Sequence, residues 1–253
     1  MKDNIKKKRK IVNLFTRNVK GKIPDVSGAN KRHDGKDGHW LETQMGIKHN
    51  ADNLPDLYGF EMKNNTSSKT TFGDWSADYY IFKDKKYAIN RDNGFLKIFG
   101  NPNPFKNGRY SWSGKPCPKI RKYNDFGQIL KIDRKGNIFA MYSFSKDKRA
   151  KKNKIVPLVM QKDNLILAKW ESESIKNKLE KKFNVQGWFK CLKVGDKYEK
   201  IVFGDPINFD IWIKGVKKGL IIFDSGMHAG NKRPYSEWRA SNNYWDSLIR
   251  EKY

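Results

Sequence analysis

The nine residues Pro55-Asp56-Leu57-Tyr58-Gly59-Phe60-Glu61-Met62-Lys63 constrain this chain most, because they join a strand pattern to three charges that a strand does not need. Phe60 and Met62 alternate with Glu61 and Lys63, the period of a half-buried strand. Glu61 and Lys63 then project from one face while Phe60 and Met62 enter a core. Asp56 comes from just before the strand, after a proline that favours an extended entry. Two carboxylates converging on one point can hold Mg²⁺, a hard cation that takes oxygen ligands and keeps several waters, and Mn²⁺ can substitute. The Lys63 ammonium beside them can orient or deprotonate a water, or stabilise charge growing on a phosphate. Phosphodiester hydrolysis needs this set of parts. The same three residues would also suit a surface strand with an ordinary salt bridge.

Just upstream, His39, Glu42 and Met45 fall at helical three-residue steps, and Leu41 and Met45 at a four-residue step. A helix over Gly38 to Ile47 buries Leu41 and Met45 and offers Glu42 from a neighbouring face.

Pro55-Asp56 followed by Glu61-Met62-Lys63 resembles the PD-(D/E)xK nuclease superfamily. The longer stretch Gly35-x-x-Gly38-x-x-Leu41-Glu42, Gly46-Ile47, Asn50 and Asn53 resembles the MvaI/BcnI group of monomeric type II restriction endonucleases, and its layout is similar to that of the MutH mismatch-repair nicking enzymes. The resemblance implies an α/β (α+β) restriction-endonuclease-like fold, a mixed sheet flanked by helices, with two lobes around a DNA cleft. It implies Asp56, Glu61 and Lys63 as catalytic residues, Asp56 and Glu61 as metal ligands, and Glu42 as a further catalytic acid and metal ligand. It also implies a monomer acting on double-stranded DNA, with a companion DNA methyltransferase in the host.

Charge points the same way from different physics. Lys and Arg number 53 against 27 acids, a formal charge of +26. Folding does not need that imbalance, and self-repulsion opposes compactness. A polyanion explains it, since each phosphate neutralised releases counterions. No long apolar run and no signal-peptide core follow the basic start, so a membrane partner is not expected and a cytoplasmic protein is. Cys117 and Cys191 lie far apart with no CxxC partner, and His33, His39, His49 and His228 show no metal-ligand spacing, which argues against zinc and disulfides.

Along the chain, residues 1–10 form a charge run, expected as a solvated or frayed terminus or a phosphate-binding arm. The glycine-rich loop from Pro24 to Gly38 carries Lys36 towards a helix start, where backbone can approach phosphates closely. Strands are expected at 78–83, 87–90 and 95–99, then a long loop over 100–114 with Arg109 and Trp112 as DNA contacts or, for Trp112, as the anchor of a packed loop. A hairpin spans 128–144, and a strand pair 155–160 and 165–170. A helix over 171–183 has Ile175, Leu179, Lys182 and Phe183 spaced for one buried face. Strands at 185–194 and 198–203, a helix from Pro206 and a strand at 219–223 complete the pattern. The basic run 146–154 divides a catalytic lobe, 1–145, from a mainly recognition lobe, 155–253.

The stretch after Phe223 holds His228, Lys232, Arg233 and Arg239. It resembles the loop that the MvaI group inserts into the major groove, which makes these four candidate DNA contacts, His228 and Arg239 as base readers. An arginine fork can pair with O6 and N7 of guanine. Three functions stay open on the sequence alone: a site-specific restriction endonuclease, a MutH-like nicking or structure-specific repair nuclease, and a DNA-binding module without catalysis.

Overall fold

The computed structural model describes residues 2–27, 36–47, 53–64 and 66–253. In chain order the elements are α1 (Lys2–Asn18), α2 (Lys36–Gln44), β1 (Phe60–Lys63), β2 (Lys69–Asp74), β3 (Tyr79–Tyr80), α3 (Leu96–Phe99), β4 (Asn101–Asn103), β5 (Arg109–Ser111), β6 (Phe126–Ile132) and β7 (Ile138–Asp147). Then follow α4 (Lys152–Ile155), β8 (Leu165–Trp170), α5 (Ser172–Phe183), β9 (Gly187–Val194), β10 (Lys197–Gly204), α6 (Phe209–Lys218), β11 (Ile221–Asp224), β12 (Glu237–Ser241), α7 (Asn242–Ser247) and β13 (Ile249–Lys252). The result is the expected α/β protein, with mixed sheets flanked by helices. Its chain forms two compact units, one built from Met1–Thr70, Lys178–Phe209 and Ser241–Tyr253, the other from Thr71–Asn177 and Asp210–Ala240.

In the first unit a four-stranded sheet runs in the order β1-β9-β10-β13. Strand β1 is parallel to β9, with Glu61 beside Trp188 and Lys63 beside Lys190; the other pairs are antiparallel. One sheet face presents Phe60, Met62, Phe189, Cys191, Ile201 and Phe203 to Ile11, Phe15 and Val19 and to Leu41 and Met45. The apolar stripe Ile11-Phe15-Val19, at four-residue steps, is what makes α1 a packed helix. The charge run at 1–10 is therefore largely the outward side of α1, not a frayed terminus. On the opposite sheet face Trp188 meets Trp245 at 5.0 Å, and Phe183 meets the same indole at 6.1 Å. Strand β1 is consequently buried on both faces, not one, and all four of its residues lie inside.

The second unit holds a sheet ordered β3-β8-β7-β6, a three-stranded sheet ordered β11-β12-β2 and the small hairpin β4-β5. Its core is aromatic: Trp170 packs edge-on against Phe223 and Trp238, and Trp212 against Trp238. The β6-β7 hairpin closes where Asp133 accepts from the Asn137 backbone N–H at 2.9 Å. Four expectations change here. Of the strand expected at 78–83 only Tyr79–Tyr80 forms, and Ile81–Lys83 is a 3₁₀ turn. Residues 85–99 form short helical turns instead of two strands: the Asn90 side chain accepts from the Asn93 and Gly94 N–H groups and starts a turn that runs into α3. Residues 158–160 form a 3₁₀ turn, so β8 pairs with β3 and β7. The run 146–154 is not a boundary between the units but lies inside the second one, with the Arg149 guanidinium on Asp147 at 2.6 Å and on the Ile98 carbonyl at 2.8 Å. Among the described residues no helix is long and apolar enough to cross a membrane.

Candidate active site

A tight turn builds the site. Leu57 and Phe60 exchange both backbone hydrogen bonds, at 3.0 and 2.8 Å, around Tyr58 (φ 51°) and Gly59 (φ 87°). Two successive left-handed residues are the signature of a type I′ turn, which reverses the chain. Glycine is required at the second position, since a Cβ there would lie 2.9 Å from Gln186 Cγ. Asp56 is thus folded back along β1 instead of extending into it, and its Oδ2 accepts from the Met62 N–H at 2.7 Å.

Glu61 and Lys63, two apart on β1, share a face as expected, and Lys63 Nζ reaches Glu61 Oε1 at 2.7 Å. A second ammonium joins them. Lys182, in the last turn of α5, lies 3.1 Å from the same Glu61 oxygen. Lys63 Nζ also sits 5.0 Å from the Phe183 ring centre. The other Glu61 oxygen, Oε2, is buried and has no hydrogen-bond partner among the described residues. Burial pushes the Asp56 carboxyl up to about 7, and the neighbouring Glu61 charge adds to the rise against the Met62 N–H, Lys63 and Lys182. Burial likewise holds the Lys63 amine below its ordinary range, opposed chiefly by Glu61. A carboxyl whose proton affinity is raised by burial and by a neighbouring carboxylate, next to a buried carboxylate oxygen that neither ammonium reaches, leaves one spot short of positive charge. A divalent cation with oxygen ligands fits that deficit.

Sequence reasoning named Asp56, Glu61 and Lys63, and the structure gathers them. Glu42 stands apart. It leaves α2 beside buried Leu41, with its Oε2 3.5 Å from His39 Nδ1. Among the described residues no three His, Cys, Asp or Glu side chains group to hold a metal, so Glu42 is not brought together with Asp56 and Glu61. Gly35, Asn50 and most of the loop before α2 lie outside the described residues. Lys182 was missed as a site residue, although a signal existed: it is a charge at an apolar position of an amphipathic helix.

The candidate DNA contacts divide. Trp112 is fully buried, donates from Nε1 to Gln128 Oε1 at 2.6 Å and packs edge-on against Phe223, so it anchors the core and offers DNA nothing. The expected long loop around it is the β4-β5 hairpin, with half-buried Arg109 at its rim. His228 is spent within its own turn, with Nδ1 2.8 Å from the Ala229 carbonyl and Nε2 3.0 Å from Asn231 Nδ2. Lys36 opens α2, half-buried, and Lys232 is exposed. Arg233, also exposed, pairs with Asp74 at 2.7 Å and covers the Tyr235 ring. Arg239, on β12, is held through Nη1 by Asp224 at 3.2 Å and Glu237 at 3.7 Å with about a third of its side chain exposed.

The fold is shared with restriction endonuclease MvaI in a complex with its cognate DNA substrate: TM-score 0.61 over 99% of this chain and 97% of that one, at 14% identity. The type II restriction enzyme ScrFI of Lactococcus lactis subsp. cremoris is 51% identical over 96% of this chain and 97% of its own length. The model of the LlaMI restriction endonuclease family matches residues 17–253. Fold and relatives together define a type II restriction endonuclease, a site-specific deoxyribonuclease. Within that class the chain belongs to the LlaMI restriction endonuclease family.

Proposed function

We propose that this enzyme hydrolyses double-stranded DNA at a short site, with Asp56, Glu61 and Lys63 as its catalytic residues. The observation that carries the reading is the buried cluster in which Glu61 meets two ammonium groups through one oxygen and keeps the other without a partner among the described residues. Asp56 and Glu61 would hold Mg²⁺ or Mn²⁺, which neutralises the two carboxylates and the incoming phosphate. Lys63, with its amine pushed towards the neutral form by burial, orients the attacking water and accepts its proton readily. The Asp56 carboxyl must lose its proton before it can serve, so acid conditions oppose the reaction. Glu42, on α2, would serve as an orienter of this ligand set, since it does not group with Asp56 and Glu61 among the described residues.

In the second unit, Arg239 is the best-supported base reader, because Asp224 and Glu237 orient a guanidinium that remains partly exposed. Arg109, Lys232 and Arg233 would meet the phosphate backbone. One such site cuts one strand, so a monomer makes two sequential nicks, and a host methyltransferase protects the same sequence. The test is digestion of a random plasmid pool in Mg²⁺ followed by end sequencing. Discrete fragments with one shared sequence at every end support the reading. Nicks in one strand alone indicate a nicking enzyme, cutting confined to branched DNA a repair nuclease, and no cutting a binding module.

A further inference from the structure

Among the described residues, Lys190 is the one buried lysine of the first unit, besides Lys63, that the proposed chemistry leaves unused, with a residue exposure of 1%. In the parallel pairing of β1 and β9 it stands beside Lys63, so both side chains leave the same sheet face. Its three donors meet one acceptor, Asn242 Oδ1 at 3.3 Å, and a half-exposed carboxylate, Asp246, no nearer than 4.0 Å. Asn242 is itself fixed, accepting from the Thr66 and Thr70 hydroxyls and donating to the Thr66 carbonyl at 2.7 Å. A charge removed from water with so little compensation destabilises the free protein. Burial accordingly holds the Lys190 amine below its ordinary range.

Lys190 lines a cavity of about 490 Å³ together with Lys193, Lys200, Lys252, Asn242 and Asp246. One of the four lysines is already neutralised, Lys193 by Asp37 at 2.6 Å. Three ammonium groups then face one carboxylate in a space many times the ~30 Å³ that one water occupies. Excess positive charge, hydrogen-bond donors and room point to a phosphate group. Adjacent strands of a sheet lie about 4.8 Å apart, so Lys190 stands one strand spacing from Lys63 on the same face. We propose that this cavity grips a backbone phosphate of the DNA strand next to the one held at Glu61 and Lys63, with Lys190 at its floor and Lys200 and Lys252 at its rim. The inference rests on the reading of Asp56, Glu61 and Lys63 as the hydrolytic site.

Two variants test it, Lys190→Met and the double variant Lys200→Gln/Lys252→Gln, each titrated with cognate and scrambled duplexes over a salt series with Ca²⁺ in place of Mg²⁺. Both should weaken the two duplexes alike, and the slope of log affinity against log salt should fall by about 0.9 for each phosphate no longer neutralised. Lys190→Met should also melt at or above the wild-type temperature without DNA, since it removes an under-compensated buried charge; a lysine that merely braced β9 would lower it. Unchanged slopes and affinities in both variants, with wild type binding normally, overturn this inference and leave the hydrolytic site standing. Failure of wild type itself to bind duplex DNA overturns the hydrolytic reading and this one with it. Calorimetric titration with inorganic phosphate separates the remaining source. Stoichiometric binding that depends on Lys190, with the DNA slopes unaltered, would assign the cavity to a small phosphate ligand and overturn the assignment to a DNA strand.

Discussion

Asp56→Asn should stabilise the metal-free protein at pH 8 while removing its activity. The wild-type carboxyl is pushed up to about 7 from an ordinary 3.8 by burial and by Glu61. At about 1.4 kcal/mol for each pH unit of difference, the ionised folded site carries a cost of about 4 kcal/mol relative to the unfolded chain. The sign follows from the direction: the folded value is raised, so the contribution of protonated Asp56 is complete below about pH 4 and is lost as pH rises through about 7. Asparagine keeps an oxygen for the Met62 N–H and carries no charge. In a chain of this length the gain corresponds to a rise in Tm of about 8–16 °C as an upper bound. Thermal denaturation in EDTA, from pH 4.5 to 8.5, should show the variant melting higher, with the gap opening between pH 4.5 and 7 and level above. Added Mg²⁺ should raise the wild type and leave the variant unmoved, because the proposed ion site needs the Asp56 carboxylate. A variant that melts below wild type at pH 8 in EDTA, or a gap independent of pH, would refute the account of two crowded carboxylates.

Lys182→Met should lower the cleavage rate about 10- to 100-fold, because Glu61 loses one of its two ammonium partners, while duplex binding in Ca²⁺ stays within about twofold and Lys182→Arg recovers part of the rate. Arg239→Ala should cost about 1–3 kcal/mol for the cognate duplex and leave scrambled DNA nearly unchanged, as competition binding reads directly. Lys148→Gln/Lys151→Gln should weaken all duplexes alike and flatten the salt dependence, since both lysines are exposed. Arg149 and Lys152 in the same run should behave differently and lower Tm when neutralised, because they hold Asp147, Ile98 and Phe144 in place.

Much of the site was legible in the sequence because its geometry is local. Glu61 and Lys63 share a face through the two-residue period of a strand, and Asp56 is tied to them by a turn of four residues. The turn type was not legible: Tyr58 adopts a positive φ that few side chains take, and only the Gly59 after it gave a hint. Lys182 lies 121 positions beyond Glu61 in the chain, and nothing local to β1 points to it. Strands and helices failed where apolar runs were short. Phe95, Leu96, Ile98 and Phe99 are all buried, and such a run fits a strand or a buried helical turn equally well until tertiary packing decides. Trp112 shows the same limit for function: an aromatic beside basic residues reads as a stacking platform, yet its indole N–H had an internal partner in Gln128. The interleaving of the two units was hidden because Thr70, Lys178, Phe209 and Ser241 sit at no shift in composition, whereas the lysine run at 146–154 does.

The central claim is that Asp56, Glu61 and Lys63 perform the hydrolysis and do not merely hold DNA. Its most direct test is single-turnover cleavage of a duplex bearing the mapped site, by wild type and by Asp56→Ala, Glu61→Ala and Lys63→Ala, with binding of the same duplex measured in Ca²⁺. The account predicts cutting by wild type in Mg²⁺ or Mn²⁺, none in excess EDTA, and cleavage abolished in all three variants while specific binding persists. Near-wild-type cutting by any one of the three, or full cutting in EDTA, would contradict it.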